Sequence, residues 1–350
     1  MRFLWRWLKR LVLLLAVLLA ALLAPVGYVE LACQGETAET DYAALLPPEH
    51  RRLESRTLMT YPEWHIVHAY DDYAEVISEG DPHDYGFFRS ITGYWSSLCS
   101  LTRASADHGG TDWETRQMVY VIGVSFTAEL ALKAAYEETV GRVFTWIRGE
   151  TRAPLDEMAA VQARGYATFL QQVPWYRWDF AGDADALQAA ATDQPRDRER
   201  AFALGIENNV KAAYAGVIAE AVAGVGFDEL TLRMIVTGVG RADLQALPGV
   251  TVIAERAQGW EIETPRYREL TGLLAQMAEA GAGFVEIAGN DDIMLTALSD
   301  APTHPDAIHS FARQGYGDYR HLLLVPVTEL DETLRGLADQ GLRLEHVHDY

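Results

Sequence analysis

Glu129-Leu-Ala-Leu-Lys133-Ala-Ala-Tyr136 recurs as Glu207-Asn-Asn-Val-Lys211-Ala-Ala-Tyr214, and Lys133 and Lys211 are the only lysines after Lys9. At about 100° per residue, Glu129, Lys133 and Tyr136 share a helical stripe with Ile122, Phe126, Val140, Val143, Phe144 and Ile147. The second copy sets Leu204, Ile218, Val222 and Val225 around Glu207, Lys211 and Tyr214. Each copy therefore puts an ion pair and a phenol inside an apolar face that a folded chain buries. Leaving a buried charge without its partner costs about 3 to 5 kcal/mol, and one pair plus a hydroxyl leaves ammonium donors unsatisfied. The simplest resolution packs the two helices together, so that the six residues satisfy one another across an interface or around a shared polar cavity. On this reading Lys133 and Lys211 face one interior region, and Glu129→Ala destabilises the helical part far more than Glu75→Ala. Long helices over 111–150 and about 195–223 follow from the pattern. A structural ion core is the plain account of the cluster. The functional account is a lysine shifted towards neutrality to act as a base or nucleophile.

Towards the N-terminus, Arg2, Arg6, Lys9 and Arg10 precede Leu11 to Val29, a run of 19 residues without a charge. That is the length of a membrane span, and it exceeds the 7 to 15 residues or so of a signal-peptide core. Basic residues before the span and Glu30, Glu36, Glu39 and Asp41 after it place the N-terminus in the cytoplasm and the bulk of the chain outside. The expected location is the inner membrane, single-pass, with a periplasmic body. Residues 30–60, with Pro47-Pro48, read as a polar tether.

The formal net charge of -21 over 350 residues disfavours nucleic-acid phosphates as partners. Cys33 and Cys99 belong to no Cys-x-x-Cys pair, which excludes a thiolate metal site; a disulfide between them and two buried thiols both remain open.

Thr60-Tyr-Pro62-Glu63 resembles a capping box at a helix start, with Gly80 as its stop. On that helix His65, His68, Asp72 and Glu75 share a stripe, so their donors could hold a divalent cation; a solvated acidic face accounts for the same letters. A second helix fits about Phe87 to Ala104, with Thr111 capping the next. Gly123-Val-Ser125-Phe-Thr127 lacks the second glycine of a nucleophile elbow and lies mid-helix, so it is rejected. Pro154 to Val173 is helical, Pro174 to Phe180 is an aromatic cluster suited to packing on the core, and 181–199 reads as a short exposed helix or linker.

Near Gly224 to Asp228 the pattern changes to short apolar runs separated by Gly and Pro. Strands are expected over 230–236, 250–255, 260–264, 284–288, 293–298, 321–327 and 342–347, with helices over 267–280 and 329–340. Ala278-Glu-Ala-Gly281 leading to Glu286 is weakly matched by Ala338-Asp-Gln-Gly341 leading to Glu345. Such duplicated strand-helix-strand units suggest a ferredoxin-like α+β sandwich. Gly238-Val-Gly240 fails as a dinucleotide-binding turn, because Asp243 stands for the third glycine and Pro248 cuts off the helix. His346 and His348 alternate on a strand and could both ligate a metal, but they sit beside the chain end, where a surface position is the plainer expectation.

The expected fold class is α+β: a membrane anchor over 1–29, a tether over 30–60, an all-α helical domain over 61–228 and a ferredoxin-like sandwich over 229–350. No catalytic motif survives, so the expected function is a membrane-anchored binding or assembly protein with the membrane, and a membrane protein, as partners. The alternative is a membrane-anchored enzyme using the Lys/Glu/Tyr cluster or a His/carboxylate metal site. No cofactor is expected beyond a divalent metal at His65, His68, Asp72 and Glu75.

Overall fold

The computed structural model describes residues 2–38, 42–225 and 230–350. Helix α1 (Arg2–Ala32) carries the apolar run and is long and apolar enough to cross a membrane. Its outer length is exposed, yet Val29 and the following Cys33 are fully buried against the body. Cys33 is joined to Cys99 by a disulfide of 2.05 Å. Glu30 accepts a hydrogen bond from Tyr120 at 2.7 Å and pairs with Arg116 at 3.3 Å.

The segment expected to be a free tether is docked instead. Tyr42 Oη and the backbone N–H groups of Leu45 and Leu46 donate to the Glu286 carboxylate at 2.7, 2.5 and 2.8 Å. A buried carboxylate needs such donors, so the polarity that suggested solvent serves an intramolecular contact. Helix α2 (Arg56–Glu79) then starts ahead of Thr60 and keeps Pro62 inside it. Thr60 is no cap; its hydroxyl donates back to Thr57 O at 2.9 Å. Burial of Leu58, Met59 and Tyr61 in the core outweighs the local capping signal.

Helix α3 (Phe87–Ser105) crosses α4 (Trp113–Tyr136) closely at Gly123, where an added Cβ would lie 2.4 Å from the Tyr94 ring. Asp112, rather than Thr111, caps α4 by accepting from Thr115 N at 2.7 Å. A π-turn (Glu137–Gly141) joins α4 to α5 (Arg142–Arg148). Helices α6 (Pro154–Leu170), α7 (Phe180–Ala190) and α8 (Pro195–Val225) complete the helical part. The aromatic run packs as expected, with Trp178 against Tyr166 and Phe169. The expected boundary near Gly224 to Asp228 lies mostly outside the described residues.

Two four-stranded antiparallel sheets follow, rather than one. The first uses β1 (Thr231–Thr237), β2 (Thr251–Arg256), β3 (Gly259–Pro265) and β4 (Gly283–Ile287), with α9 (Arg241–Ala246) after β1 and α10 (Tyr267–Glu279) before β4. The second uses β5 (Asp292–Ser299), β6 (Ala307–Ala312), β7 (Tyr319–Pro326) and β8 (Arg343–His348), with α11 (Leu330–Gly336) before β8. Their orders, β2-β3-β1-β4 and β6-β7-β5-β8, are the same order repeated. Gly281 and Gly341 end corresponding helices at φ 87° and 71°. In both, the next amide reaches back to the helix, Ala282 N to Met277 O and Leu342 N to Leu337 O at 2.9 Å.

The helical part keeps two small clusters of its own, around Leu155 and Leu187 and around Tyr166 and Phe180, but shares its main core with the second sheet. Met294 and Leu322 of the second sheet lie in the same apolar cluster as Leu58, Tyr61, Trp95 and Phe126. A second cluster unites both sheets with α10 and α11.

Candidate functional site

The two matching helices meet through their long side chains, and their ion pairs run between helices. Lys211 Nζ lies 2.7 Å from Glu129 Oε1, and Lys133 Nζ lies 3.1 Å from Glu207 Oε1. Further along, Arg200 binds Glu137 through both oxygens at 2.8 and 3.2 Å. Partner numbers fall on α8 as they rise on α4, so the helices are antiparallel and the pairs form a ladder along their seam. Lys211 also keeps its partner one turn back, Glu207, at 2.9 Å.

The phenols differ from the sequence expectation. Tyr136 Oη donates to Glu199 at 2.5 Å instead of joining a lysine. Tyr214 is half exposed and stacks on Trp175 at 5.3 Å, where that ring takes it. The aromatic walls of the lysines come from other helices: Lys133 sits 4.4 Å over the Tyr73 ring, and Lys211 lies 5.2 Å over Tyr70. Tyr70 Oη donates to Glu129 at 2.5 Å. Burial disfavours the charged form of Lys211, but Glu129 and Glu207 overcome it and hold the ammonium well above its ordinary range. The ladder's carboxylates thus favour the charged form of the lysine.

Sequence reasoning missed the ladder's extension. Arg196 and Arg200 are almost wholly buried, with Arg196 on Asp156 at 2.9 Å and on Glu199 at 3.0 Å. Arg148 joins Asp81 and Asp156 at 2.7 Å. Arg196 also donates to Gly141 O, a carbonyl of the π-turn, at 3.2 Å. Runs such as Arg196-Asp-Arg-Glu-Arg200 normally signal a solvated face, so nothing in the pattern separates these arginines from surface ones. A cavity beside the network, lined by Tyr73, Arg152, Asp156 and Arg200 among others, has about 10 Å³, room for one water.

Three members of the α2 stripe, His65, His68 and Asp72, are buried rather than solvated, Glu75 is half-buried, and the four turn to separate partners. His65 Nε2 meets Ser90 O at 2.9 Å, and Asp72 accepts from Gln314 N at 2.9 Å. His68 Nε2 faces Glu345 at 3.7 Å, and Glu75 pairs with Arg164. The structure brings His346 and His348 to the same seam, both buried despite their place beside the chain end. Pairing of β8 with β5 holds them there, Met294 opposite His348 and Thr296 opposite His346. Tyr61, Trp64, His68, His346 and His348 form one ring cluster, closest at 3.5 Å between Trp64 and His346. Burial depresses His65 and His348 to about 3, while burial lifts Asp72 to about 7. Arg320, bonded to Glu345, lies beneath the cluster. Seven buried polar atoms here have no hydrogen-bond partner: Tyr61 Oη, His65 Nδ1, His68 Nε2, Asp72 Oδ1, Arg313 Nε and both His348 nitrogens.

A third grouping had no sequence signal, because its members are far apart in the chain. Glu54, His108 and Asp292 place one donor atom each within 4.8 Å of one another. His108 Nδ1 lies 3.5 Å from Asp292 and 3.8 Å from Glu54. The Glu54 hydrogen bond raises His108, and burial raises Asp292.

Compared with known protein families, characterised proteins and solved structures, the chain matches none.

Proposed function

We propose that the chain is a membrane-anchored, extracytoplasmic binding or assembly protein, retained by α1 as a signal-anchor with its basic end in the cytoplasm. The observation that carries this reading is the docking of the end of α1: Val29 is buried and Glu30 bonds to Arg116 and Tyr120. Cleavage of α1 as a signal would remove contacts that the body uses. The Cys33–Cys99 disulfide fits an oxidising compartment, periplasmic where there are two membranes. A charge-fixing ladder and the failure of every nucleophile and cofactor motif favour binding over catalysis. The partner class is a membrane protein, and the net charge of -21 argues against nucleic acid. We further read the repeated sheet order as a tandem of ferredoxin-like units carrying an all-α layer.

The test is a reporter fused at Tyr350 together with the mass of the mature chain. A reporter active only in the cytoplasm overturns the topology, and a mature chain beginning near Cys33 replaces the anchor with a cleaved signal.

A second reading, a membrane-anchored enzyme, rests on the orphaned atoms between α2 and the second sheet. Buried groups of that kind need water, an ion or a ligand. A divalent metal held at the seam or at Glu54, His108 and Asp292 would supply the missing chemistry, and elemental analysis of the purified chain tests it.

A further inference from the structure

The helices that carry the ladder have their polarity reversed relative to a water-soluble bundle. From Gln117 to Tyr136, α4 contains only Glu129 and Lys133 as charged residues, and from Ala201 to Ala219, α8 contains only Glu207 and Lys211. All four turn to the seam and pair there. The outward stripe is largely apolar: Val121 and Leu132 on α4, Trp146 on α5, Ile206, Val210 and Val217 on α8 are exposed, Leu132 to 74% and Trp146 to 82%, with one exposed ion pair, Glu138 with Arg142, where α4 passes into α5. Patches of this extent are uncommon on soluble monomers and mark an interaction surface.

The neighbouring anchor identifies what covers it. Arg116 and Tyr120 at the start of α4 hold Glu30 at the end of α1, and the disulfide fixes the next turn to α3. Exposed Tyr28 and Leu31 flank Glu30, while exposed Trp113, Met118 and Val121 flank Arg116 and Tyr120. The apolar surface of α1 therefore continues onto α4. No flexible linker separates the body from the point where α1 leaves the bilayer, since the intervening residues are helical and crosslinked. Away from these residues the helical layer exposes acidic side chains, Glu157 on α6, Asp185 on α7 and Asp193 ahead of α8, with Val161 exposed on α6 as well. One apolar face on an otherwise polar body suits a helix pair lying in the membrane plane, whereas a spanning pair would be apolar all round. Charges in such segments face inward and pair with each other, as these do.

We propose that the outward face of α4, α5 and α8 is a second membrane contact, resting in the acyl boundary of the bilayer beside α1. This rests on the anchored reading of α1. It orients the body, laying the ladder parallel to the membrane just above lipid.

The test uses the full chain in phosphatidylcholine/phosphatidylglycerol nanodiscs, with the native disulfide intact and single spin labels at introduced cysteines. Leu132→Cys and Val210→Cys sample the face, Asp185→Cys an exposed acidic position on α7, and Leu15→Cys the anchor. These side chains are exposed, so folding is not at stake, and Val217→Cys replaces either face variant that expresses poorly. Labels at 132 and 210 should collide with oxygen severalfold more, relative to a water-soluble nickel complex, than the label at 185. A ratio at 132 and 210 equal to that at 185 puts the face in water and overturns the proposal. Exclusion of both reagents means that protein, a second copy or a partner, covers the face, and also overturns it. An aqueous signal at 15 instead defeats the anchor reading, so the two failures are distinguishable.

Discussion

Lys211 reaches across to Glu129 on the antiparallel neighbour, 2.7 Å away, while its own helix supplies Glu207 one turn back. Glu207 in turn accepts from Lys133, so a single carboxylate holds both lysines. Burial opposes the charge on Glu207, but the two ammonium groups overcome it and hold its carboxyl far below the usual range. Removing it leaves Lys133 without its carboxylate and Lys211 with Glu129 alone. Glu207→Ala should therefore destabilise by about 2 to 4 kcal/mol, discounted from the fully buried case because Glu207 keeps some solvent contact. Glu129→Ala should cost less, since Glu129 is more exposed than Glu207, and Glu75→Ala least, since its partner Arg164 is more exposed than Lys211. Thermal melts of the three variants in detergent check the order; a neutral Glu207→Ala would remove the ladder's structural role.

The disulfide crosslinks positions 66 residues apart, a loop whose closure restricts the unfolded chain by about 4 kcal/mol in the chain-entropy model. Cys33→Ser with Cys99→Ser should lower the melting temperature and loosen the end of α1, where proteolysis after Cys33 reads the release. Non-reducing gels of protein from intact cells should show no alkylatable thiol before reduction. Free thiols there would contradict an oxidising compartment.

How much of this was legible follows from particular residues. The helices carrying Lys133 and Lys211 could be read because charge inside an apolar stripe is a conflict that packing must resolve. The duplicated glycine ends at Gly281 and Gly341 announced a repeat, because a left-handed residue after a helix tolerates few other side chains. Strand β6 was missed: Ala307–Ala312 is half-buried up to its exposed last residue and has no clear alternation. Arg196, Arg200 and the α2 stripe were misjudged for one reason. Periodicity reports which side chains lie together, while burial of a charge depends on partners such as Asp156 or Gln314 that are remote in sequence.

Acid should weaken the seam between α2 and the second sheet. Folded-state values near 3 for His65 and His348 lie below the ordinary 6.5, so the unfolded chain binds more protons between those limits. Their contribution is complete above pH 6.5 and is lost as pH falls towards 3. At pH 5 it has fallen by about 2 kcal/mol for each fully buried imidazole. Asp72 acts in the opposite sense: its folded value near 7 favours the folded chain as pH falls from 7 towards 3.8. Burial also depresses His68 and His346, so the histidines outnumber the one carboxyl. The melting temperature should fall between pH 7.5 and 5, with His348→Phe flattening the fall and Asp72→Asn steepening it. A flat profile in wild-type protein would mean that these imidazoles are not buried neutral.

Metal binding separates the α2 stripe from the spatial grouping. His65, Asp72 and Glu75 are committed to Ser90, Gln314 and Arg164, and a cation beside His68 would face the Arg320 guanidinium bonded to Glu345. At Glu54, His108 and Asp292 three donors lie within 4.8 Å, and Asp291 beside them is raised to about 6, first by burial and then by Glu54. Donors about 3 to 3.5 Å apart suit an ion held at about 2.0 to 2.2 Å, and the His108–Asp292 separation of 3.5 Å already meets this. A cation there would relieve repulsion among Glu54, Asp291 and Asp292 while leaving one imidazole nitrogen as ligand. Added Zn²⁺ or Mn²⁺ should therefore raise the melting temperature of the full chain, by the mass-action relation for a ligand of the folded state. Asp292→Asn and His108→Ala should abolish the rise, and His68→Ala should preserve it. If His68→Ala abolishes it while Asp292→Asn does not, the ion belongs to the buried histidine seam; if wild-type melting does not respond, neither grouping is a metal site.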